Sequence, residues 1–234
     1  MSLNGQRIVI LGGASGIGLA VAQGATAQGA QVIVGSRNPG RAALPAGVQQ
    51  RTVDLLDHAA IHAFFEALGP FDHLVFTAGE SLALGLLADT DIDATRRFFD
   101  LRYWGAFAAA KHGAPHIRPG GSIVFTSGLA SQKPHAGWAV ASSICSAMEG
   151  LTRALAVELA PLRVNIVSPG VVQTPLWDSM SEEAREALYR SQAETLLVGH
   201  VAQAEEIAEA YLYLMRQTFG TGQTLVLDGG GLLV

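Results

Sequence analysis

The sequence predicts one α/β domain with a doubly wound, seven-stranded parallel sheet and helices on both of its faces. Short apolar runs alternate along the chain with longer segments of helical periodicity, as expected for strands joined by crossover helices. Several of these runs are almost continuously apolar or β-branched, which is typical of strands buried on both faces. The 234 residues contain no internal repeat and no Pro- or Ser-rich linker, so we predict a single domain over 1–234.

The elements follow in order along the chain. Seven segments have the composition of strands: 7–11, 31–36, 48–54, 73–79, 121–127, 163–169 and 224–230. Five segments carry apolar residues at helical spacing: 16–28, 57–68, 93–115, 142–160 and 203–217. Strands and helices that alternate in this way imply right-handed crossover connections within one sheet.

The composition argues against several classes of function. The net charge is −5 and the arginines do not cluster, so we expect neither nucleic acid nor an anionic membrane as a partner. The opening residues enter a strand almost at once and no apolar run is long enough to cross a bilayer, which predicts no signal peptide and no membrane span. Cys145 is the only cysteine, so we expect a cytoplasmic location. Because the histidines are not grouped with other ligands, we predict no metal site.

The turn after the first strand is the first candidate binding site. Gly12, Gly16 and Gly18 stand in the spacing G-x-x-x-G-x-G between a strand and a helix, with Ser15 and Ile17 in the same turn. Small residues let the backbone turn sharply and approach a pyrophosphate, which the free N–H groups at the start of the helix can bind. In this strand–turn–helix context, the spacing predicts a dinucleotide-binding domain of the Rossmann type.

The end of the second strand bears on the choice of nicotinamide cofactor. An acidic residue at that place binds the ribose 2′-hydroxyl, whereas arginine accommodates a 2′-phosphate. This chain has Ser36, Arg37 and Asn38 there, with no acid. The alternative interpretation of Arg37 is a solvated loop residue. We expect NADP(H) to be preferred over NAD(H).

These features and others downstream resemble the short-chain dehydrogenase/reductase family over essentially the whole chain. The segments "VDLLD", "LVFTAG", "RVNIVSPGVVQTP" and "TGQTLVLDGG" are similar to the family's adenine-contacting segment, an Asn-Asn-Ala-Gly strand end, its nicotinamide segment and its last strand. The chain departs from the family pattern at Leu11, where Thr is usual, and at Phe76 and Thr77, which replace the asparagines. The resemblance implies further cofactor contacts from Asp54, Leu55, Ala78, Gly79, Pro169, Gly170, Val172 and Thr174.

Most of the family's usual catalytic set is missing from this chain. The resemblance implies a Ser that orients the carbonyl, a Tyr that exchanges the proton, a Lys four residues later that lowers the Tyr pKa, and an Asn on the preceding helix. Ser127 matches the Ser, whereas Ala141 and Cys145 stand at the Tyr and Lys positions. Arg102 stands at the Asn position. No other register restores the pair, because no Tyr occurs over 104–188 and no Lys follows residue 133.

Two residues are candidates for replacement chemistry. His135, in the loop before this helix, could exchange protons at neutral pH without a lysine, and the alternative is an exposed loop histidine. Arg102 either binds an anionic substrate or fills the space that the Tyr and Lys leave. Cys145 has no base beside it in sequence and is interpreted as a small buried hydrophobe.

The resemblance also leads to expectations about closure, assembly and activity. The acidic, amphipathic segment at 175–200 corresponds to the family's mobile substrate lid. The family pairs its fourth helix between protomers, which implies a homodimer or homotetramer. The leading hypothesis is an NADP(H)-dependent oxidoreductase with a non-standard site, acting on a carbonyl or alcohol substrate that Ser127 polarises. The alternative is a catalytically inactive NADP(H)-binding sensor or partner subunit.

Overall fold

The computed structural model describes residues 2–38, 43–80 and 84–234. Seven strands form its main sheet: β1 (Arg7–Leu11), β2 (Gln31–Ser36), β3 (Gln49–Thr52), β4 (Phe71–Phe76), β5 (Ile117–Thr126), β6 (Arg163–Pro169) and β9 (Thr224–Leu227). All are parallel, in the order β3-β2-β1-β4-β5-β6-β9. Two short strands, β7 (Val172–Gln173) and β8 (Ala202–Gln203), pair with each other outside this sheet. The predicted doubly wound, seven-stranded sheet is confirmed.

Helices cover both faces of the sheet. In the described ranges these are α1 (Gly16–Ala27), α2 (His58–Leu68), α3 (Ile92–Phe99), α4 (Ala106–Gly113), α5 (Ala139–Glu158), α6 (Glu182–Thr195) and α7 (Ala204–Arg216). Helices α1 and α7 pack on one face, and α2, α4 and α5 pack on the other. None of these helices has the length and apolar character needed to cross a membrane.

Strand β1 shows how the sequence pattern builds two cores. Its residues Val9 and Leu11 belong to the core under α2, α4 and α5, whereas Ile8 and Ile10 belong to the core under α1 and α7. Successive side chains of a strand point to opposite faces, so a strand buried on both faces is mostly apolar. Every residue of β6 is likewise buried, including the polar Arg163, Asn165 and Ser168.

The largest departure from the predicted elements lies in the helical segment 93–115. It divides into α3, a π-helical segment over Asp100–Gly105, and α4. Gly105 lies against the backbone of Leu55, where a Cβ would come within 2.9 Å of the carbonyl oxygen. The wider π turn changes which side chains face the sheet, and such turns are frequent at functional sites. Arg102 lies within this segment.

The other departures concern element boundaries. Strand β4 ends at Phe76, so the predicted strand residues 77–79 instead belong to the loop that follows it. Strand β5 begins at Ile117 and α5 at Ala139, both earlier than predicted. Inside the segment 175–200, α6 supplies the helix that its pattern indicates.

Candidate active site

A cleft of about 540 Å³ opens at the carboxyl ends of the strands, beside the point between β1 and β4 where the chain order reverses. In doubly wound sheets, ligands bind at this switch point, and the volume suits a small molecule. Two of the three candidate catalytic residues, Ser127 and Arg102, line the cleft. All fifteen residues that the sequence assigns to a cofactor also line it: Gly12, Ser15, Gly16, Ile17, Gly18, Ser36, Arg37, Asp54, Leu55, Ala78, Gly79, Pro169, Gly170, Val172 and Thr174.

The turn after β1 requires glycine at two positions. Gly12 has a φ of +95°, and a Cβ there would lie 2.4 Å from the backbone nitrogen of Ala78. A Cβ on Gly18 would lie 2.3 Å from the carbonyl oxygen of Gly12. The turn, the start of α1 and the end of β4 therefore pack together only because these side chains are absent. This close approach of backbone is what a pyrophosphate-binding turn needs.

The first turn of α1 is open to an anion. It contains no acidic residue, and Ser15, the N-cap residue, makes no capping hydrogen bond to the described helix. The unpaired N–H groups and the positive end of the helix dipole therefore meet no competing carboxylate from this turn. Ser36 and Arg37 line the same cleft at the end of β2. This set of residues fits a phosphorylated dinucleotide.

Residues that follow β6 form the opposite wall of the cleft. A Cβ on Gly16 would lie 3.3 Å from Cβ of Thr174, so the two walls meet at this point. Trp177 is buried, and its indole N–H donates to the carbonyl of Val172 at 3.0 Å. This hydrogen bond holds the start of the segment 175–200 against β7.

Ser127 is tied to a carboxylate that the sequence reasoning missed. The Ser127 hydroxyl donates to Glu149 Oε1 at 2.9 Å, and the Ser131 hydroxyl donates to the same oxygen at 2.6 Å. Glu149 is only 9% exposed, and no cation of the described residues lies within ion-pair distance of it. Two serine hydroxyls therefore hold this buried carboxylate beside the cleft.

The spacing along α5 could have identified Glu149. Ala141, Cys145 and Glu149 follow one another at intervals of four residues, so they share one helix face. Ser127 also lies 3.2 Å from the Cys145 carbonyl oxygen, which places this face against the end of β5. The residue that contacts Ser127 is thus one helical turn beyond the position at which the family has its Lys.

Cys145 lies on this face as a protonated thiol. Burial raises the pKa of the Cys145 thiol, and the nearby Glu149 carboxylate adds to this effect. The Ser127 hydroxyl and the Arg102 charge lower the pKa, but burial is the largest influence. Since the thiolate is the nucleophilic form, this environment argues against covalent catalysis by Cys145.

The Arg102 guanidinium lies close to the backbone of Gly79 and to the ring of Phe98. Its Cζ is 4.7 Å from the ring centroid, and a Cβ on Gly79 would lie 2.8 Å from the same carbon. One terminal nitrogen donates to the carbonyl of Glu80. The buried Nε has no hydrogen-bond partner among the described residues. Burial lowers the pKa of Arg102 below its usual value, but a guanidinium keeps its charge in proteins.

The structure does not bring His135 into the cleft lining. Its side chain is exposed and packs edge-on against Trp138, with ring centroids 4.7 Å apart. This geometry matches the exposed-loop interpretation of the histidine. In the described part of the chain, no three His, Cys, Asp or Glu side chains are grouped to hold a metal ion.

Comparison with known proteins identifies the family. The family model described as an SDR-like Rossmann domain matches residues 2–234. Short-chain dehydrogenase/reductase malC of Malbranchea aurantiaca is 34% identical over 253 residues, covering 99% of this chain and 96% of that protein. Short-chain dehydrogenase/reductase ATR9 of Stachybotrys chlorohalonatus is 35% identical over 266 residues, covering 99% of both. A small-chain dehydrogenase solved in complex with NADPH is 36% identical, with a TM-score of 0.87 over 99% of this chain and 100% of that one. The chain therefore belongs to the short-chain dehydrogenase/reductase family.

Proposed function

We propose that this chain is an NADP(H)-dependent oxidoreductase that interconverts a carbonyl compound and its alcohol at a site without the usual Tyr and Lys. The observation that carries the proposal is the convergence of the fifteen cofactor-side residues and Ser127 on one cleft. Membership of the short-chain dehydrogenase/reductase family supports oxidoreductase activity.

NADP(H) is the cofactor that this cleft fits best. The glycine turn and the start of α1 would hold the pyrophosphate, and Asp54 with Leu55 would hold the adenine. Arg37 would pair with the 2′-phosphate and Ser36 would donate a hydrogen bond to it. The relative solved with NADPH supports this choice. When bound, the nicotinamide supplies or accepts the hydride.

Ser127 and Glu149 together can handle the substrate proton. When Glu149 is ionised, the Ser127 oxygen can accept the proton of an alcohol while the Ser127 proton passes along its hydrogen bond to Glu149 Oε1. When Glu149 is protonated, it can donate to Ser127, whose own proton is then free for a carbonyl oxygen. In our proposal this pair replaces the proton exchange that a Tyr carries out elsewhere in the family.

The test is NADPH oxidation across a panel of carbonyl compounds, with Ser127→Ala as the diagnostic variant. Turnover should fall at least 100-fold in this variant, with unchanged NADPH affinity, because the group that orients the carbonyl is lost. Ser143→Ala is the matched control, since Ser143 is exposed on α5 and donates only to its own helix. Equal turnover in Ser127→Ala and wild type would contradict the proposed role.

The second candidate function is a catalytically inactive NADP(H)-binding sensor or partner subunit. The observation in its favour is the pair of residues Ala141 and Cys145 at the Tyr and Lys positions. Submicromolar NADPH binding without turnover across the whole panel would favour this function over the enzyme.

We also propose that the segment 175–200 closes over the substrate. Its first residues, Pro175, Leu176 and Trp177, line the cleft, whereas α6 contains no buried residue. An element with so little packing can move at small cost, while the hydrogen bond of Trp177 anchors one end. Faster amide hydrogen exchange in α6 than in α5, slowed by ligand, would agree with this proposal.

Assembly through α4 and α5 is a further part of the proposal. These helices border a second, largely apolar groove of about 1150 Å³, and Trp104 and Phe107 beside it are 47% and 38% exposed. Large exposed apolar surfaces of this kind mark interaction sites, and a homodimer or homotetramer would cover them. Light scattering after gel filtration should report such an assembly.

The lone Cys145 agrees with a reducing, cytoplasmic location.

A further inference from the structure

We infer that Arg102 forms an anion-binding subsite in the cleft and that the substrate is a carbonyl compound carrying a carboxylate. The carbonyl part of this inference rests on the proposed function. The anion part rests on separate observations around the guanidinium.

The guanidinium of Arg102 is held close to Gly79 and Phe98 and keeps a donor that the described residues do not use. Its Cζ lies 4.7 Å from the centre of the Phe98 ring, and a Cβ on Gly79 would lie 2.8 Å from the same carbon. The carbonyl of Glu80 accepts from one terminal nitrogen. Nε has no hydrogen-bond partner among the described residues. A carboxylate is the group that best matches the charge and the planar donors of a guanidinium.

The charge of Arg102 also lacks a contacting carboxylate among the described residues. Within the described chain no carboxylate oxygen lies within 4.0 Å of it. Glu80 has an exposed side chain and acts on the charge only from a distance, while two serines already engage Glu149. A mostly buried charge without a counter-ion is costly, and an apolar side chain would fill the same space at lower cost. Space filling alone therefore does not account for an arginine here, whereas a ligand carboxylate does.

The position of Arg102 indicates that the anion belongs to the substrate. The elements that suit the cofactor phosphates, the glycine turn and Arg37, lie at the ends of β1 and β2. Arg102 instead contacts Gly79 and Glu80 just beyond the end of β4, which pairs with β5, and Ser127 directly follows β5. The anion site and the carbonyl-orienting hydroxyl therefore lie beyond the ends of neighbouring strands in one cleft, an arrangement that suits a 2-oxo or 3-oxo acid.

Binding of a non-reducible probe tests the subsite without turnover. With saturating NADPH, oxamate and its neutral analogue oxamide would be titrated into wild type, Arg102→Met and Arg102→Lys, with NADPH fluorescence as the readout. We expect wild type to bind oxamate at least tenfold more tightly than oxamide, Arg102→Met to lose this preference, and Arg102→Lys to keep part of it. Arg96→Met is the control, since Arg96 is an exposed residue that pairs with Asp93.

Two results would overturn the subsite: equal binding of the two probes by wild type, or the same preference in Arg102→Met as in wild type. The first comparison needs only wild-type protein, so it holds even if a variant does not fold. An NADPH affinity within threefold of wild type shows that a variant is folded.

Turnover separates this inference from the proposed function. Matched 2-oxo and 3-oxo acids and their methyl esters would be compared by kcat/KM, and we expect the acids to be favoured at least tenfold in wild type alone. Oxamate preference without any turnover would support the subsite and contradict the enzyme. Equal turnover of acids and esters would support the enzyme and contradict the subsite.

Discussion

At the β1 end, the cleft is lined by backbone and by glycines. At the β5 end, it is lined by the side chains of Ser127 and Arg102, and Glu149 lies behind Ser127. The first region is one continuous turn in which Gly12 and Gly18 let strand and helix approach closely. The second draws its residues from the end of β5, the middle of α5 and a π-helical segment. A site made of backbone depends on spacing along the chain, while a site made of side chains depends on how distant elements pack. The glycine turn can therefore be retained in a chain whose side chains at the β5 end have changed.

The largest effect should come from Gly12→Ala. The new Cβ would meet the Ala78 backbone at 2.4 Å, in addition to the cost of about 1–2 kcal/mol for a left-handed φ. We expect a large fall in melting temperature and at least a 100-fold loss of NADPH affinity, measured by thermal denaturation and fluorescence titration.

Gly47→Ala is the matched control for this substitution. Gly47 has a φ of +88° and nothing within 4 Å of its Cβ position, so only the cost of the φ angle applies. NADPH affinity should remain at the wild-type value. If Gly12→Ala behaved like Gly47→Ala, the claim that close backbone packing forms this region would be broken.

The next effect concerns the stability of the fold. His73 lies in β4, away from both regions of the cleft, so replacing it should change stability without changing the proposed chemistry. Burial, with the charge of Arg163, lowers the pKa of His73 from 6.5 to about 4, and Asp72 opposes this only partly. Below pH 6.5 the unfolded chain therefore takes up a proton that the folded chain does not. The free energy of unfolding should fall by about 3 kcal/mol as the pH drops from 6.5 to 4.

His73→Gln should flatten this acid dependence, because Gln does not titrate and can still form hydrogen bonds with the His73 partners Ser122 and Gln6. Urea denaturation at several pH values measures it. An unchanged slope between pH 6.5 and 4 in the variant would show that other groups cause the loss of stability.

Arg37→Ala sharpens the comparison at the cofactor end of the cleft. Loss of hydrogen bonds to a charged phosphate should cost about 1.5–3 kcal/mol, so the NADPH dissociation constant should rise roughly 10- to 100-fold. NADH lacks the 2′-phosphate and serves as the internal control, with an affinity that stays within twofold. An equal loss for both cofactors would point to a general structural defect instead of phosphate recognition.

Glu149→Gln probes the catalytic end and should give the smallest effect. The amide can still form a hydrogen bond with Ser127 but cannot take up its proton, so we expect kcat to fall about tenfold with unchanged NADPH affinity. The exposed Glu209→Gln on α7 is the matched control. A lower melting temperature with unchanged kcat would restrict Glu149 to a structural role.

The sequence predicted most of the fold because strand and helix patterns reflect local rules. The continuous apolar run of β1 follows from burial on two faces of a sheet. The glycine turn could be predicted equally well from the sequence, because its conformation depends on a few consecutive residues. Strand ends were less predictable, since the small residues 77–79 are compatible with a strand but lie in the loop after β4.

The candidate catalytic site was less predictable for two physical reasons. The contact between Ser127 and Glu149 joins residues 22 positions apart, and it depends on how α5 docks against β5. The contacts of Arg102 depend on a π turn that no helical periodicity indicates. Sequence alone therefore identified Ser127 and Arg102 but not their partners.

The helix face of Ala141, Cys145 and Glu149 has a consequence for protein engineering. Its three residues come from one contiguous stretch of α5, and none of them lines the cleft beside the glycine turn. New proton-transfer groups can therefore be introduced by substitutions within this stretch of α5 alone, while the residues around the glycine turn stay unchanged. The scaffold lends itself to libraries in which chemistry varies and cofactor specificity stays constant.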